Sequence, residues 1–164
     1  MTSISYHADS KHIRLKAYRY LRHLEEALQF IENKKELQLQ ISVLGKVIHY
    51  NADKANIPTN KNIEIDAYWK SLLGNTADFG DFYNPELGTV FIAGHLTSTF
   101  LHEIDNKVLA KFSAGPYSIF RGMGLTETQA TTYLKMLNSG NFLLVFRGYT
   151  HELHELETML NEPI

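Results

Sequence analysis

The chain contains no cysteine among its 164 residues. This excludes a disulfide framework, a thiolate metal site and a thiol nucleophile, and makes a reducing compartment its natural setting. No charge of one sign dominates: 16 Lys and Arg face 18 Asp and Glu, for a formal net charge of -2. That balance argues against nonspecific attraction to phosphate backbones or anionic lipid. A nucleic-acid role would need a local basic patch, and none stands out along the chain. Long apolar runs are missing too. The start, MTSISYHADSKHIR, lacks the apolar core of a secretory signal. The longest nearly apolar stretch, Leu87 to Leu101, is shorter than the ~20 residues of a spanning helix. Together these absences point to a cytoplasmic chain with no membrane association. No fixed-period repeat or low-complexity tract is present, which excludes a solenoid.

What is present is periodicity. The length suits one domain, residues 1–164, that buries roughly 70% of the surface its unfolded form exposes. Ile13, Leu15 and Ala17 alternate with Arg14 and Lys16, the pattern of a strand with one wet face. From Tyr20 the period becomes helical, with Tyr20, Leu21, Leu24, Ala27, Leu28 and Ile31 on one stripe, fraying at Asn33 and Lys34-Lys35. A second alternating strand spans Leu37 to Leu44 and ends at Gly45. Residues 45–88 are rich in turn formers and read as an irregular insertion around a short helix, Ile65 to Leu73, in which Trp69 is a packing anchor. Thr89 to Ala93 reads as a buried strand, and a helix from Thr97 to Lys111 is predicted from Phe100, Leu101, Ile104, Val108 and Leu109.

The last third has the clearest signals. Thr126 and Gln129 have capping-box spacing, Gly140 sits at a helix exit, and Phe142 to Phe146 is an apolar run suited to a strand covered on both faces. Thr150 is predicted to cap a final helix, with Leu153, Leu156 and Leu160 inward. In order, these elements predict an α+β fold. Its expected form is a ferredoxin-like antiparallel sheet with helices on one face, a helical insertion and an extra C-terminal helix. A small doubly wound α/β sheet is the alternative.

Four segments, ISVLGKVIHY, YWKSLLG, NPELGTVFIAGHL and GLTETQATTYLKMLNSGNFLLVFRG, together resemble successive blocks of a family of small bacterial α/β proteins. These are uncharacterised, grouped with general stress proteins and with membrane proteins of unknown function. The resemblance runs from Leu39 to His151 and implies a shared fold and a stress-related role. The family's glycine-rich apolar hairpin is replaced here by a polar stretch carrying His95, Thr97, His102, Glu103 and Asp105. The family brings no catalytic residues to transfer.

Three constellations have chemical potential. His151 and His154, an i, i+3 pair followed by Glu155, present imidazoles on one side of a helix, where they are candidate metal ligands; His95 or His102 with Glu103 or Asp105 would have to complete the set. Arg121, Gly122 and Gly124 leading into Thr126 combine an arginine, small residues and a helix start, the ingredients of an anion site. The segment Asp78 to Glu86 offers carboxylates and exposed aromatics, read first as turn structure and then as an interface or cation site. No serine stands in a nucleophile elbow, so no catalytic residue and no cofactor is assigned. The resulting expectation is a non-enzymatic intracellular binding or interaction domain that self-associates as a homodimer or meets a protein partner, without nucleic acid. The alternative is a metal- or anion-dependent enzyme using the C-terminal histidines or the Arg121 turn.

Overall fold

The computed structural model describes residues 10–32, 38–54 and 61–160. A five-stranded antiparallel sheet forms the middle layer. Its strands are β1 (His12–Tyr18), β2 (Gln40–Lys46), β3 (Phe79–Asn84), β4 (Gly88–Gly94) and β7 (Phe142–Gly148), in spatial order β1-β7-β2-β4-β3. β1 and β2 run parallel with β7 between them, and β4 and β7 run parallel with β2 between them. Every hydrogen-bonded neighbour pair is therefore antiparallel. A separate two-stranded hairpin joins β5 (Glu103–Ile104) to β6 (Lys107–Val108).

Helices cover both faces. On one side α1 (Leu21–Glu32), α2 (Val47–Lys54), α3 (Lys61–Leu73) and α7 (Thr150–Leu160) pack on Val43, Phe91, Ala93, Phe142, Leu144 and Phe146. On the other side α4 (Thr97–Phe100), the 3-10 turn Leu109–Lys111, α5 (Gly115–Gly122) and α6 (Glu127–Asn138) pack on Leu15, Leu44, Val90, Ile92, Leu143 and Val145. The period of two in each strand supplies both cores at once, since successive side chains leave opposite faces. Trp69 anchors the first core, 1% exposed and stacked on Phe91 at 5.3 Å. Full burial of a ring such as Phe91 contributes on the order of 2–3 kcal/mol.

The α+β class, the Thr126 helix and the apolar strand after Gly140 stand as the sequence predicts. Thr126 Oγ accepts the Gln129 N–H at 3.1 Å, and Gln129 Oε1 accepts the Thr126 N–H at 2.9 Å. β7 is central and buried on both faces. Several expectations are corrected. The helices lie on both faces of the five-stranded sheet rather than on one, and the doubly wound alternative fails because no neighbouring strands are parallel.

Among the described residues, the segment 45–88 holds the expected helix over Ile65 to Leu73, within α3, and more regular structure besides. It also holds α2 and the edge strand β3, whose Phe82 and Asn84 point into the core while Asp81 and Tyr83 face out. The Asp78 to Glu86 segment is therefore mostly strand, and its polar residues conceal a two-residue alternation. The helix predicted from Thr97 to Lys111 stops at Phe100, because Asp105 and Asn106 take left-handed backbone (φ 52° and 65°) and turn the chain into the β5–β6 hairpin.

Thr150 is the first helical residue of α7, not its cap. Glu152 instead reaches back to the Tyr149 N–H at 3.0 Å. The predicted helix end at Asn33 to Lys35 and the strand start at Leu37 lie outside the described residues. Among the described residues no helix is long and apolar enough to cross a membrane.

Candidate functional site

The feature that shapes one end of the sheet is the departure of β4 at Gly94. Its φ is +99°, and a Cβ there would lie 2.3 Å from the Ile41 carbonyl oxygen, so only glycine permits this approach. The Gly94 N–H donates to Asp78 O at 2.8 Å and the His95 N–H to Ile41 O at 3.2 Å. Buried hydroxyls then fix the exit: Ser42 Oγ accepts the Leu96 N–H at 2.8 Å, and Thr97 Oγ donates to Gly94 O at 2.8 Å.

With β4 turned away, a groove of about 750 Å³ opens at the Gln40 end of the sheet. The last turns of α1 and α3, the residues leading into β2, the turn before β3 and the start of α4 line it. Its apolar lining, including Ile31, Leu39 and Leu72, is buried or half-buried, and its polar lining is exposed apart from half-buried Gln40. Among the described residues, the side chains of Glu32, Thr76, Asp78, His95 and Ser98 make no hydrogen bond or ion pair to the protein. Carboxylates, an imidazole and hydroxyls over an apolar floor suit a small polar or amphipathic ligand.

The opposite end of β2 is closed. Lys46 Nζ donates to Asn138 Oδ1 at 3.0 Å and Asn138 O at 3.4 Å, placing a cation at the C-terminus of α6. His49 packs where Gly140 has no side chain; a Cβ on Gly140, whose φ is +106°, would meet the imidazole at 2.9 Å. Burial and the charge of Lys46 hold the His49 pKa below its ordinary 6.5, partly opposed by Asp53. Asp53 in turn accepts the Leu21 N–H at 2.6 Å, capping α1 from another element. Asn84, fully buried, uses both ends of its amide: Nδ2 donates to Ala110 O and Phe112 O at 2.9 Å, while Oδ1 accepts the Glu86 and Leu87 N–H groups at 2.9 and 3.1 Å.

The residues singled out from the sequence fall elsewhere. Arg121 lies on α5 and turns its guanidinium onto Leu125 O at 3.2 Å, Gly122 ends α5, and the Gly124 N–H bonds to Arg121 O at 3.0 Å. Thr126 uses its hydroxyl in its own helix cap. This cluster closes the α5–α6 turn with its own groups. On α7, His151 stacks on Tyr149 with centroids 6.2 Å apart, while His154 and Glu155 are exposed. The buried carboxylate of α7 is Glu152, whose second oxygen accepts the Gln38 N–H at 3.2 Å.

His95 and His102 lie on either side of α4, and Glu103 and Asp105 belong to the β5–β6 hairpin. Among the described residues no group of three His, Asp or Glu side chains is placed to hold a metal ion. Sequence reasoning missed the groove because its lining comes from separate segments, none with a motif. The nearest signal is the Gly94-His95 break after an apolar strand. No protein-family model, curated protein or solved structure matches the chain.

Proposed function

We propose that the protein is a non-enzymatic binding domain whose ligand occupies the groove at the Gln40 end of the sheet. The observation that carries this reading is the contrast in side-chain use. Lys46, Asp53 and Asn84 at the opposite end of the sheet are bonded within the protein, whereas among the described residues the side chains of Glu32, Thr76, Asp78, His95 and Ser98 of the groove remain available above an apolar floor. Available polar groups converging on an apolar concavity are what small-molecule recognition requires. An intracellular setting accords with the absence of cysteine, and the stress-related role rests on the family resemblance.

Backbone-resolved NMR of the full chain with a library of small polar organic fragments tests the reading. Shifts are expected at Gln38–Ile41, Thr76–Asp78 and Gly94–Ser98, and Ser98→Trp, which fills the groove, should suppress them. Silence across the library, or shifts confined to other surfaces, would overturn it. The metal-dependent alternative predicts bound metal in purified protein that disappears when His151 and His154 are changed to Ala. Self-association belongs to the same proposal and is supported by β3, a sheet edge with Asp81 and Tyr83 outward. Light scattering that gives only the 18.8 kDa monomer would remove it.

A further inference from the structure

The first described strand and helix carry a charge asymmetry that the whole-chain balance conceals. Between Lys11 and His23 lie five of the 16 Lys and Arg (Lys11, Arg14, Lys16, Arg19 and Arg22), together with His12 and His23 and no carboxylate. The remainder holds 11 cations against all 18 carboxylates. Such a separation orients a molecule toward anions even when its net charge is slightly negative.

Folding concentrates the asymmetry at the corner where β1 turns into α1. Tyr20 is 45% exposed. The guanidiniums of Arg19 and Arg22 lie 6.0 and 5.7 Å from its ring centroid, and His23 meets it edge-on at 5.8 Å. Arg19, Arg22 and His23 are exposed as well. Just before the corner, Lys16 Nζ sits 5.5 Å from the Tyr18 ring, and burial lowers the Lys16 pKa.

Neighbouring charge is already engaged: Arg14 meets Glu157 at 3.9 Å, and the Asp53 carboxylate accepts the Leu21 N–H. Among the described residues, no carboxylate lies within ion-pair distance of Arg19 or Arg22. Cation–π contact holds a guanidinium against a ring while its N–H donors stay free to take phosphate oxygens.

We propose that the β1–α1 corner binds single-stranded nucleic acid, with phosphates on Arg19 and Arg22 and a base against the Tyr20 platform. The interleaving of arginine with an exposed aromatic selects this partner, because unpaired bases offer π-faces that a duplex keeps stacked inside. This site is distinct from the groove and does not depend on it.

Fluorescence anisotropy of the full chain with a labelled oligouridine of about 15 nucleotides tests the proposal. Binding is expected at about 50 mM salt, and log K should fall against log salt with a slope of about -1.4, two phosphate contacts at ~0.7 each. Arg19→Glu with Arg22→Glu should weaken binding more than about 10-fold, and Tyr20→Ala about 5-fold or more. Lys111→Glu with Lys135→Glu changes net charge equally at exposed sites in the helical layer on the opposite sheet face from α1 and should change affinity less than about 2-fold. Circular dichroism confirms that each variant is folded. The proposal is overturned by no binding at about 100 μM protein, by equal loss in the two double variants, or by capture on phosphatidylserine vesicles without oligonucleotide binding.

Discussion

At the Lys46 end of the sheet, Lys46, His49, Asp53 and Asn84 contact other elements of the protein: a helix C-terminus, a glycine, a helix N-terminus and a 3-10 turn. At the Gln40 end, Glu32, Thr76, Asp78, His95 and Ser98 surround a groove and, among the described residues, make no such bonds. The strands are equally well paired at both ends, so the difference does not come from the sheet. It comes from the path the chain takes on leaving each strand. After Lys46 and Gly140 the chain packs closely against the sheet end, whereas after Gly94 it bends away. Lys46, Asp53 and Asn84 thus serve the fold, and the side chains around the groove are free to serve a ligand.

The largest expected effect attacks the closed end. Asn84→Ala leaves two carbonyls and two N–H groups without their buried partner and should cost about 3 kcal/mol of stability in urea unfolding. Asp78→Asn at the open end should stay within about 0.5 kcal/mol in the same measurement. Equal losses would erase the distinction between the ends.

A middle-sized effect is expected at Gly140→Ala, which combines a left-handed φ with a Cβ against the imidazole, about 1–2 kcal/mol. Adding His49→Ala should recover the steric part and leave the backbone part, so a double-mutant cycle gives a nonzero coupling. Strict additivity would mean that the ring and the glycine are not in contact.

The smallest effect is in pH dependence. The His49 pKa is lowered in the folded state, so the unfolded chain binds the proton more readily. Stability from this group is full above the unfolded value near 6.5 and declines as pH falls below it, down to the lower folded pKa. His49→Gln should flatten that decline, and an unchanged pH profile would place the acid sensitivity elsewhere.

Legibility followed the range of the physics involved. The Thr126–Gln129 cap, the α1 stripe from Leu21 onward and the apolar run of β7 are set by neighbours within one or two turns, and each appears where the sequence places it, whereas Tyr20, read as part of that stripe, precedes the helix and is 45% exposed. β3 was hidden because Asp81, Asn84 and the adjacent Pro85 look like turn chemistry; burial of Phe82 and Asn84 overrides that preference. The helix expected through Lys111 had a plausible stripe, but Ile104 faces solvent at 46% exposure on a hairpin. Its Asp105-Asn106 turn signal was present and outweighed by the apolar spacing. The metal-site and anion-site candidates drew on residue types alone, which do not reveal whether a side chain is already engaged by its own turn, as Arg121 is.

By itself, then, the sequence determined the local grammar: which segments are amphipathic, where α6 begins and ends, and that no thiol chemistry is available. Tertiary structure decided the strand order, the second helical layer and the groove. These depend on pairings such as Ser42 with Gly94 and Gln38 with Glu152, whose partners are distant in the chain or meet only because β4 bends at one glycine. Periodicity encodes which face of an element is apolar, but not which distant element will cover it.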